Sequence, residues 1–152
     1  MSPCRPSSRG HLEIRSSNPA EAPAIHPNTL STNRDVEEML AGARFLRRLA
    51  ATPALSAVIE AELKPGPSAD SDDEMIADIR ARSYSVFHPC GTCRMGPDPA
   101  EAVVDHRLRV HGLAGLRIVD ASIFPTVTSG NINAPTIMVG EKGAELLLQD
   151  EA

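Results

Sequence analysis

The chain has 152 residues, of which 41% are hydrophobic, 23% charged and 3% aromatic, and its formal net charge at pH 7 is -5. This length is enough for one domain with a substantial core, and the acidic balance argues against a nucleic-acid partner. No run of about 18 apolar residues predicts a transmembrane segment, and the first ten residues lack the apolar core of a secretory leader. Three cysteines, an odd number with one distant at Cys4, argue against a disulfide framework and favour a reducing, cytoplasmic compartment.

The predicted elements of the first half are, in chain order, a loop over 1–10, a strand over 11–15, an irregular connection over 16–28, and helices over 34–51 and 54–63. The strand follows from the alternation of apolar and polar residues in "HLEIR", which is typical of a half-buried strand. Three prolines make the next stretch irregular. Apolar residues at helical spacing predict the longer helix, and Thr32 with Asp35 suits its start.

The predicted elements of the second half are a flexible segment over 64–73, a helix over 73–82, strands over 107–110 and 116–119, and a last helix over 135–148. Prolines, glycine, serines and acids make the first of these segments flexible. Pro135 suits the first turn of the last helix. Apolar spacing in that helix predicts that Ile137, Ala144 and Leu148 point inward.

The stretch "HPCGTCRMG" (88–96) allows three interpretations. Cys90 and Cys93 have a spacing found in zinc sites and redox pairs. The other zinc ligands would have to be histidines at unsuitable spacing, and the prolines that follow prevent the helix that a redox motif needs. The loop could instead present His88 as a reactive group, or be structural only. The loop by itself leaves these alternatives open and favours the structural one.

Three motifs in fixed order extend the pattern: "HPCGTCRMG", "VVDHRLRVHGLAGLRIVDAS" and "SGNINAPTIMVGEK". Together they resemble the C-terminal part of the glucose–methanol–choline (GMC) family of FAD-dependent oxidoreductases, and in particular its choline-dehydrogenase-like members. The upstream "SSRGHLEIRSSNPAEAPAIHPNTLST" is similar to the family's substrate domain. The resemblance covers residues 6–149 and favours His88 as the functional residue of the loop.

The resemblance implies an α+β fold in which 11–87 form part of the substrate domain and 88–149 complete the FAD domain. The G-x-G-x-x-G fingerprint that begins the family's nucleotide-binding sheet is absent from the chain, so we expect no complete Rossmann sheet. The expected partner is therefore an N-terminal FAD-binding portion, and the chain alone is expected to bind FAD weakly or not at all. An inactive fragment, or a subunit of a split enzyme, is the alternative.

The implied activity is oxidation of an alcohol to a carbonyl with hydride transfer to the flavin. His88 is the implied general base, and Asn131 donates a hydrogen bond to the developing alkoxide, although Asn131 could also be a turn residue. Asn133 is either a flavin contact or a helix cap. The implied cofactor-binding residues are Asp120, Ala121, Asn133, Ala134, Pro135 and Thr136.

The resemblance assigns no catalytic role to the remaining chemistry-bearing residues. Cys90 is interpreted as incidental and Cys93 as a packed small residue. Arg94 either senses the anionic flavin or ties the loop to a carboxylate. The other histidines are interpreted as surface or turn residues, and no metal ligand is assigned: His11, His26, His106 and His111.

Overall fold

The chain divides into two units, residues 1–86 and the part from residue 87 onward, in a computed structural model that describes residues 1–151. Each unit has its own hydrophobic cluster. The division falls next to the predicted boundary between 87 and 88, while the assignment of the units to a substrate domain and an FAD domain stays a prediction. None of the helices in the described residues combines the length and apolar character needed to cross a bilayer.

A two-stranded antiparallel sheet begins the first unit. Strand β1 (His11–Glu13) pairs with β2 (Ala24–His26) in a register that places Leu12 opposite Ile25. The strand predicted over 11–15 is confirmed for 11–13 only, and its apolar residues Leu12 and Ile14 are exposed rather than half-buried. The expectation of an irregular 16–28 is wrong at β2, because its prolines lie just outside the three paired residues, where they remove no ladder hydrogen bond.

Three helices complete the first unit: α1 (Asn33–Ala50), α2 (Pro53–Ser56) and α3 (Asp72–Arg82). The side chain of Thr32 caps α1, as predicted, by accepting the Asp35 N–H. A capping box between Ser71 and Glu74 begins α3. Both long helices are confirmed to within one residue of the predicted bounds. They pack together around the cluster Leu30, Val36, Met75 and Ile79.

The helix predicted over 54–63 is wrong beyond Ser56. Val58 is 78% exposed and Ile59 42% exposed, so the apolar side of a longer helix has no covering surface in this unit. Short helices are marginal in water unless tertiary packing buries one face. Helix α2 therefore ends at Ser56, although the sequence that follows is rich in apolar residues.

The second unit contains a 3-10 turn at Ala121–Ile123 and the helix α4 (Asn133–Glu151). The strands predicted over 107–110 and 116–119 are replaced by isolated bridges, one of which joins Arg109 to Arg117. The backbone of Leu108 has a φ of 64°, which interrupts an extended strand in the middle of the first predicted segment. The prediction of regular strands at these two segments is therefore wrong, although a single bridge joins them.

Helix α4 starts two residues before its predicted start and packs with the face opposite to the predicted one. Ile137 and Leu148 are 60% and 70% exposed, and Ala144 is exposed too. The buried positions are Val139, Gly143 and Leu146. Because α4 is apolar on both sides, its spacing could not decide which side packs within the unit.

Candidate active site

The loop over residues 88–96 is held in place by its backbone. The Cys93 N–H donates to the Ser122 carbonyl at 3.0 Å, and the Met95 N–H donates to the Ile123 carbonyl at 2.8 Å. Gly91 has a φ of 87°, and a Cβ at this position would lie 3.2 Å from the Phe124 carbonyl oxygen. The loop thus lies directly against the 3-10 turn, and its course depends on a glycine.

Two side chains fasten the far end of the loop. Arg94 donates from Nε to the Glu101 carbonyl, and its guanidinium lies 3.8 Å from the Glu101 carboxylate. His111 is half-buried, and its Nε2 lies 3.0 Å from the Gly96 carbonyl oxygen. Arg94 therefore ties the loop to a neighbouring carboxylate, which was one of its two predicted roles.

Asp120 and Ala121 lie at the 3-10 turn that binds the loop. The Asp120 carboxylate is exposed, and its Oδ1 accepts the Ser122 N–H at 2.7 Å, which caps the turn. Ala121 is half-buried. Since Ser122 also receives the hydrogen bond from Cys93, the structure brings the loop of His88 and the Asp120–Ala121 pair into one bonded assembly.

The start of α4 forms the third part of the site. The Thr136 N–H and Oγ1 both donate to the Ile132 carbonyl, at 2.9 and 2.7 Å, so the helix begins directly after the buried Ile132. Asn133 is therefore the first helical residue rather than the cap. The N–H groups of Asn133 and Ala134 precede the first intrahelical donor, and both residues are exposed. Half-buried Pro135 has no N–H to satisfy.

Asn131 is exposed and follows a tight turn in which the Gly130 N–H donates to the Thr128 carbonyl at 2.7 Å. His88 is half-buried. In the described residues, no hydrogen bond joins the side chains of His88 and Asn131. The roles of both residues, and the turn alternative for Asn131, stay predictions.

Asp105 lies beyond the loop and is the most perturbed carboxylate of the second unit. Burial by itself raises its pKa, but hydrogen bonds from Arg109 and Arg107 outweigh burial and lower the pKa to about 2. The N–H groups of Arg107 and Arg109 both donate to Oδ1, at 2.8 and 3.0 Å. A carboxylate held in its ionised form this firmly is a structural group and a poor proton acceptor near neutral pH.

The cysteines of the loop are free thiols. Over residues 1–151, three metal-ligating side chains converge only at His11, Glu13 and His26, so neither Cys90 nor Cys93 belongs to such a group. A cavity of about 640 Å³ in the second unit is lined by residues of the 109–117 segment together with Asp105, Leu147 and Asp150. None of the predicted site residues lines that cavity.

The chain belongs to the GMC oxidoreductase family, whose C-terminal-domain model matches residues 6–140. Alcohol dehydrogenase (acceptor) of Pseudomonas putida is 47% identical over 144 residues, which are 95% of this chain and 26% of that protein. Mitochondrial choline dehydrogenase of Mus musculus is 48% identical over 145 residues, which are 94% of this chain and 24% of that protein. The family indicated by the three sequence motifs is therefore confirmed.

A solved structure supports the same relationship. An FAD-dependent oxidoreductase from Chaetomium thermophilum has a TM-score of 0.90 at 30% identity, over 97% of this chain and 26% of that chain. The chain thus spans about a quarter of the length of the relatives that it matches. It is a member of the GMC oxidoreductase family with mixed helix and short strands, and it is similar to alcohol and choline dehydrogenases.

Proposed function

We propose that this chain is the C-terminal catalytic segment of an FAD-dependent enzyme that oxidises an alcohol to a carbonyl compound. The observation that carries the proposal is the loop of His88, bonded to the 3-10 turn at Asp120, in a chain whose residues 6–140 match the family. Its relatives include an alcohol dehydrogenase and a choline dehydrogenase. The class of substrate is therefore an alcohol, the CH–OH donor common to those names.

The chemistry of the exposed groups fits FAD, which is named for the Chaetomium thermophilum relative. Asp120 has one carboxylate oxygen left beyond its turn hydrogen bond, which suits a ribityl hydroxyl. The free N–H groups at the start of α4 and the positive end of its dipole suit an electron-rich group. We assign the following residues to cofactor contacts: Asp120, Ala121, Asn133, Ala134, Pro135 and Thr136.

FAD held by these residues would supply the acceptor for the hydride of the alcohol carbon. The half-buried imidazole of His88 takes the proton from the alcohol hydroxyl, because histidine is the side chain suited to proton transfer near neutral pH. The Asn131 amide donates a hydrogen bond to the same oxygen as negative charge develops on it. The backbone-bonded loop limits the positions that the imidazole explores, which favours a productive geometry.

The chain acts together with the remaining portion of a GMC oxidoreductase, which supplies the nucleotide-binding sheet. We assign 11–87 to part of the substrate domain and 88–149 to the part that completes the FAD domain. Two exposed apolar surfaces support this partner. One is the outer side of α4 with Ile137 and Leu148, and the other is the sheet face with Leu12 and Ile25. Large exposed apolar faces usually mark contact surfaces.

Reconstitution tests the proposal. The chain is purified alone and again after co-expression with an FAD-binding portion from a GMC relative. We expect no stoichiometric flavin on the chain alone, and flavin that is bleached anaerobically by an alcohol in the reconstituted complex. A complex that holds flavin but is reduced by no alcohol contradicts the proposed activity. Stoichiometric flavin on the chain alone contradicts the proposed dependence on a partner.

A further inference from the structure

Two histidines and one glutamate converge on the β1–β2 sheet, remote in sequence from every residue assigned to alcohol oxidation. His11 and Glu13 are two residues apart on β1 and so point to the same face. The register places His26 of β2 directly opposite His11. The apolar pair Leu12 and Ile25 occupies the other face, so the polar cluster is a consequence of strand alternation.

The ligating atoms of the three side chains already lie close together. One nitrogen of each histidine and one oxygen of Glu13 are all within 4.8 Å of one another. His11 Nε2 and Glu13 Oε1 are 3.1 Å apart, and the two imidazole rings are stacked with centroids 4.5 Å apart. Ligands of a tetrahedral zinc ion lie about 3.4 Å apart, which follows from bond lengths of about 2.0–2.2 Å.

The backbone beneath the cluster is fixed by close packing. Gly10, which precedes β1, lies so near β2 that a Cβ would be 2.1 Å from the His26 carbonyl oxygen. The Asn28 side chain donates to the Arg9 carbonyl at 2.9 Å and so joins the same two segments. The opposition of His11 and His26 therefore depends on backbone packing as well as on the ladder. Only side-chain rotations are needed to bring the nitrogens onto one ion.

We propose that His11, Glu13 and His26 form a binding site for a divalent transition-metal cation of the zinc type. Two imidazoles and one carboxylate are a common ligand set for zinc, and the carboxylate offsets part of the charge of the ion. The three side chains are exposed, so the remaining coordination positions are open to water. Their exposure also makes the required rotation of the stacked rings inexpensive, because no packed neighbour has to move.

The bound ion would join β1 to β2. The sheet has only three residue pairs, and isolated two-stranded sheets are marginal in water. A ligand that binds only the folded state stabilises it in proportion to its concentration and affinity. Zinc is therefore expected to raise the unfolding temperature of the chain as well as to bind it.

Calorimetric titration with zinc chloride tests the site in a Cys4→Ser, Cys90→Ser, Cys93→Ser variant, which removes competing thiolates. We expect one equivalent of zinc to bind. Adding His26→Gln or Glu13→Gln should weaken zinc binding by about tenfold or more. Loss of a residue that only orients a metal ligand already costs about 10–100-fold in affinity, and loss of a ligand should cost at least as much. Adding His106→Gln, an exposed histidine of the other unit, should change nothing. Absence of binding, or equal binding by the His26→Gln form, overturns the proposal.

A second measurement keeps the test decisive if the cysteine substitutions impair folding. Zinc is titrated into the unmodified chain, and the imidazole resonances are followed by NMR. The signals of His11 and His26 should shift together at low zinc concentration, before that of His106. If His106 shifts first, or if the cluster histidines do not respond, the proposed site does not exist. Neither measurement requires flavin, so the outcome is independent of the proposed alcohol oxidation.

Discussion

The backbone N–H groups of Cys93 and Met95 help to hold the loop that contains His88. Both N–H groups donate to carbonyls of the 3-10 turn. A substitution that changes only a thiol leaves these hydrogen bonds intact, whereas His88 has no replacement for its imidazole among the groups of the loop. The proposed proton transfer depends on the His88 imidazole, whereas backbone N–H groups help to hold the loop. Side-chain substitutions can therefore test the reaction without removing these hydrogen bonds.

His88→Ala in the reconstituted flavin complex should slow flavin reduction by an alcohol about 10²–10⁴-fold, the usual cost of removing a general base. Flavin content should not change, because the cofactor contacts are assigned elsewhere. Cys90→Ser is the matched control within the loop and should leave the rate nearly unaltered. Anaerobic stopped-flow absorbance measures both. Loss of activity in the cysteine variant with full activity in His88→Ala would assign the loop to thiol or metal chemistry instead.

At the scale of the element, α4 contains two glycines with opposite surroundings. A Cβ on Gly143 would lie 2.4 Å from Val119 Cγ1, which is inside contact distance of a stiff, half-buried side chain. A Cβ on Gly140 would meet nothing within 4 Å. Gly143 therefore permits the close approach of α4 to the segment before the 3-10 turn, while Gly140 has no such function within this unit.

The two glycines make a matched pair for substitution. Gly140→Ala should stabilise the isolated chain by up to about 1 kcal/mol, because alanine has the higher helix propensity. Gly143→Ala should destabilise it by about 1–3 kcal/mol, since overpacking outweighs that gain. Urea denaturation followed by circular dichroism gives both free energies of unfolding. Equal effects of the two substitutions would contradict the packing of α4 described here.

Local signals explain which elements were predictable. The cap of α1 depends on Thr32 and Asp35, which are close in sequence, so sequence alone indicated it. The capping box of Ser71 and Glu74 at α3 is equally local but was not predicted. The inward face of α4 depends on which surface of the unit it meets, and its two apolar sides gave no answer. The cluster of His11, Glu13 and His26 could be predicted only from the pairing of β1 with β2. Since 16–28 was expected to be irregular, β2 and this pairing were not predicted.

For the candidate site, the sequence indicated the family and the candidate residues but not all of the contacts that hold them. The motifs indicated the family, while a shared site for His88 and Asp120 stays a prediction. The structure shows that the loop of His88 is bonded to the 3-10 turn that follows Asp120. The motifs could not supply the support of the loop by His111, because that contact joins two segments that are not neighbours in sequence. Long-range contacts of this kind depend on the complete fold rather than on local pattern.

At the scale of the whole chain, each unit contains a carboxylate that is ionised more readily than usual. Asp35 is 1% exposed. Burial raises its pKa, but hydrogen bonds from the backbone and hydroxyl groups of Ser7 and Ser8 outweigh this and hold the pKa well below its usual range. These bonds fasten the segment before β1 to the first turn of α1. In the second unit, the Asp105 carboxylate accepts instead from the nearby Arg107 and Arg109 and so stabilises a local turn.

Both carboxylates make the free energy of unfolding depend on acidity. Their pKa values are lower in the folded chain than in the unfolded chain, so the unfolded state binds more protons and stability falls as the pH decreases. For Asp105 the loss should run from about pH 4 down to about pH 2 and amount to at most about 2 kcal/mol. Asp105→Asn should flatten this dependence, and Glu37→Gln, at an exposed position of α1, should not.

Urea unfolding at a series of pH values from neutral to about 2 measures the slope. An unchanged slope in the Asp105→Asn variant would show that its carboxylate is not the group responsible. The same experiment on Asp35→Asn reports the first unit, where the variant should also lose stability at neutral pH. That loss is expected because the donors from Ser7 and Ser8 lose their charged acceptor.

Because backbone hydrogen bonds help to hold the 88–96 loop, some of its side chains can vary during evolution while the backbone keeps its course. The side chains of Cys90 and of the exposed Thr92 can be substituted without removing the hydrogen bonds that the backbone N–H groups of Cys93 and Met95 donate. Natural drift, or a laboratory library at those two positions, can therefore alter the surroundings of the imidazole while the scaffold stays the same. Under the proposed function, variation in the accepted alcohol can accumulate at these two positions while the backbone hydrogen bonds of the loop are retained.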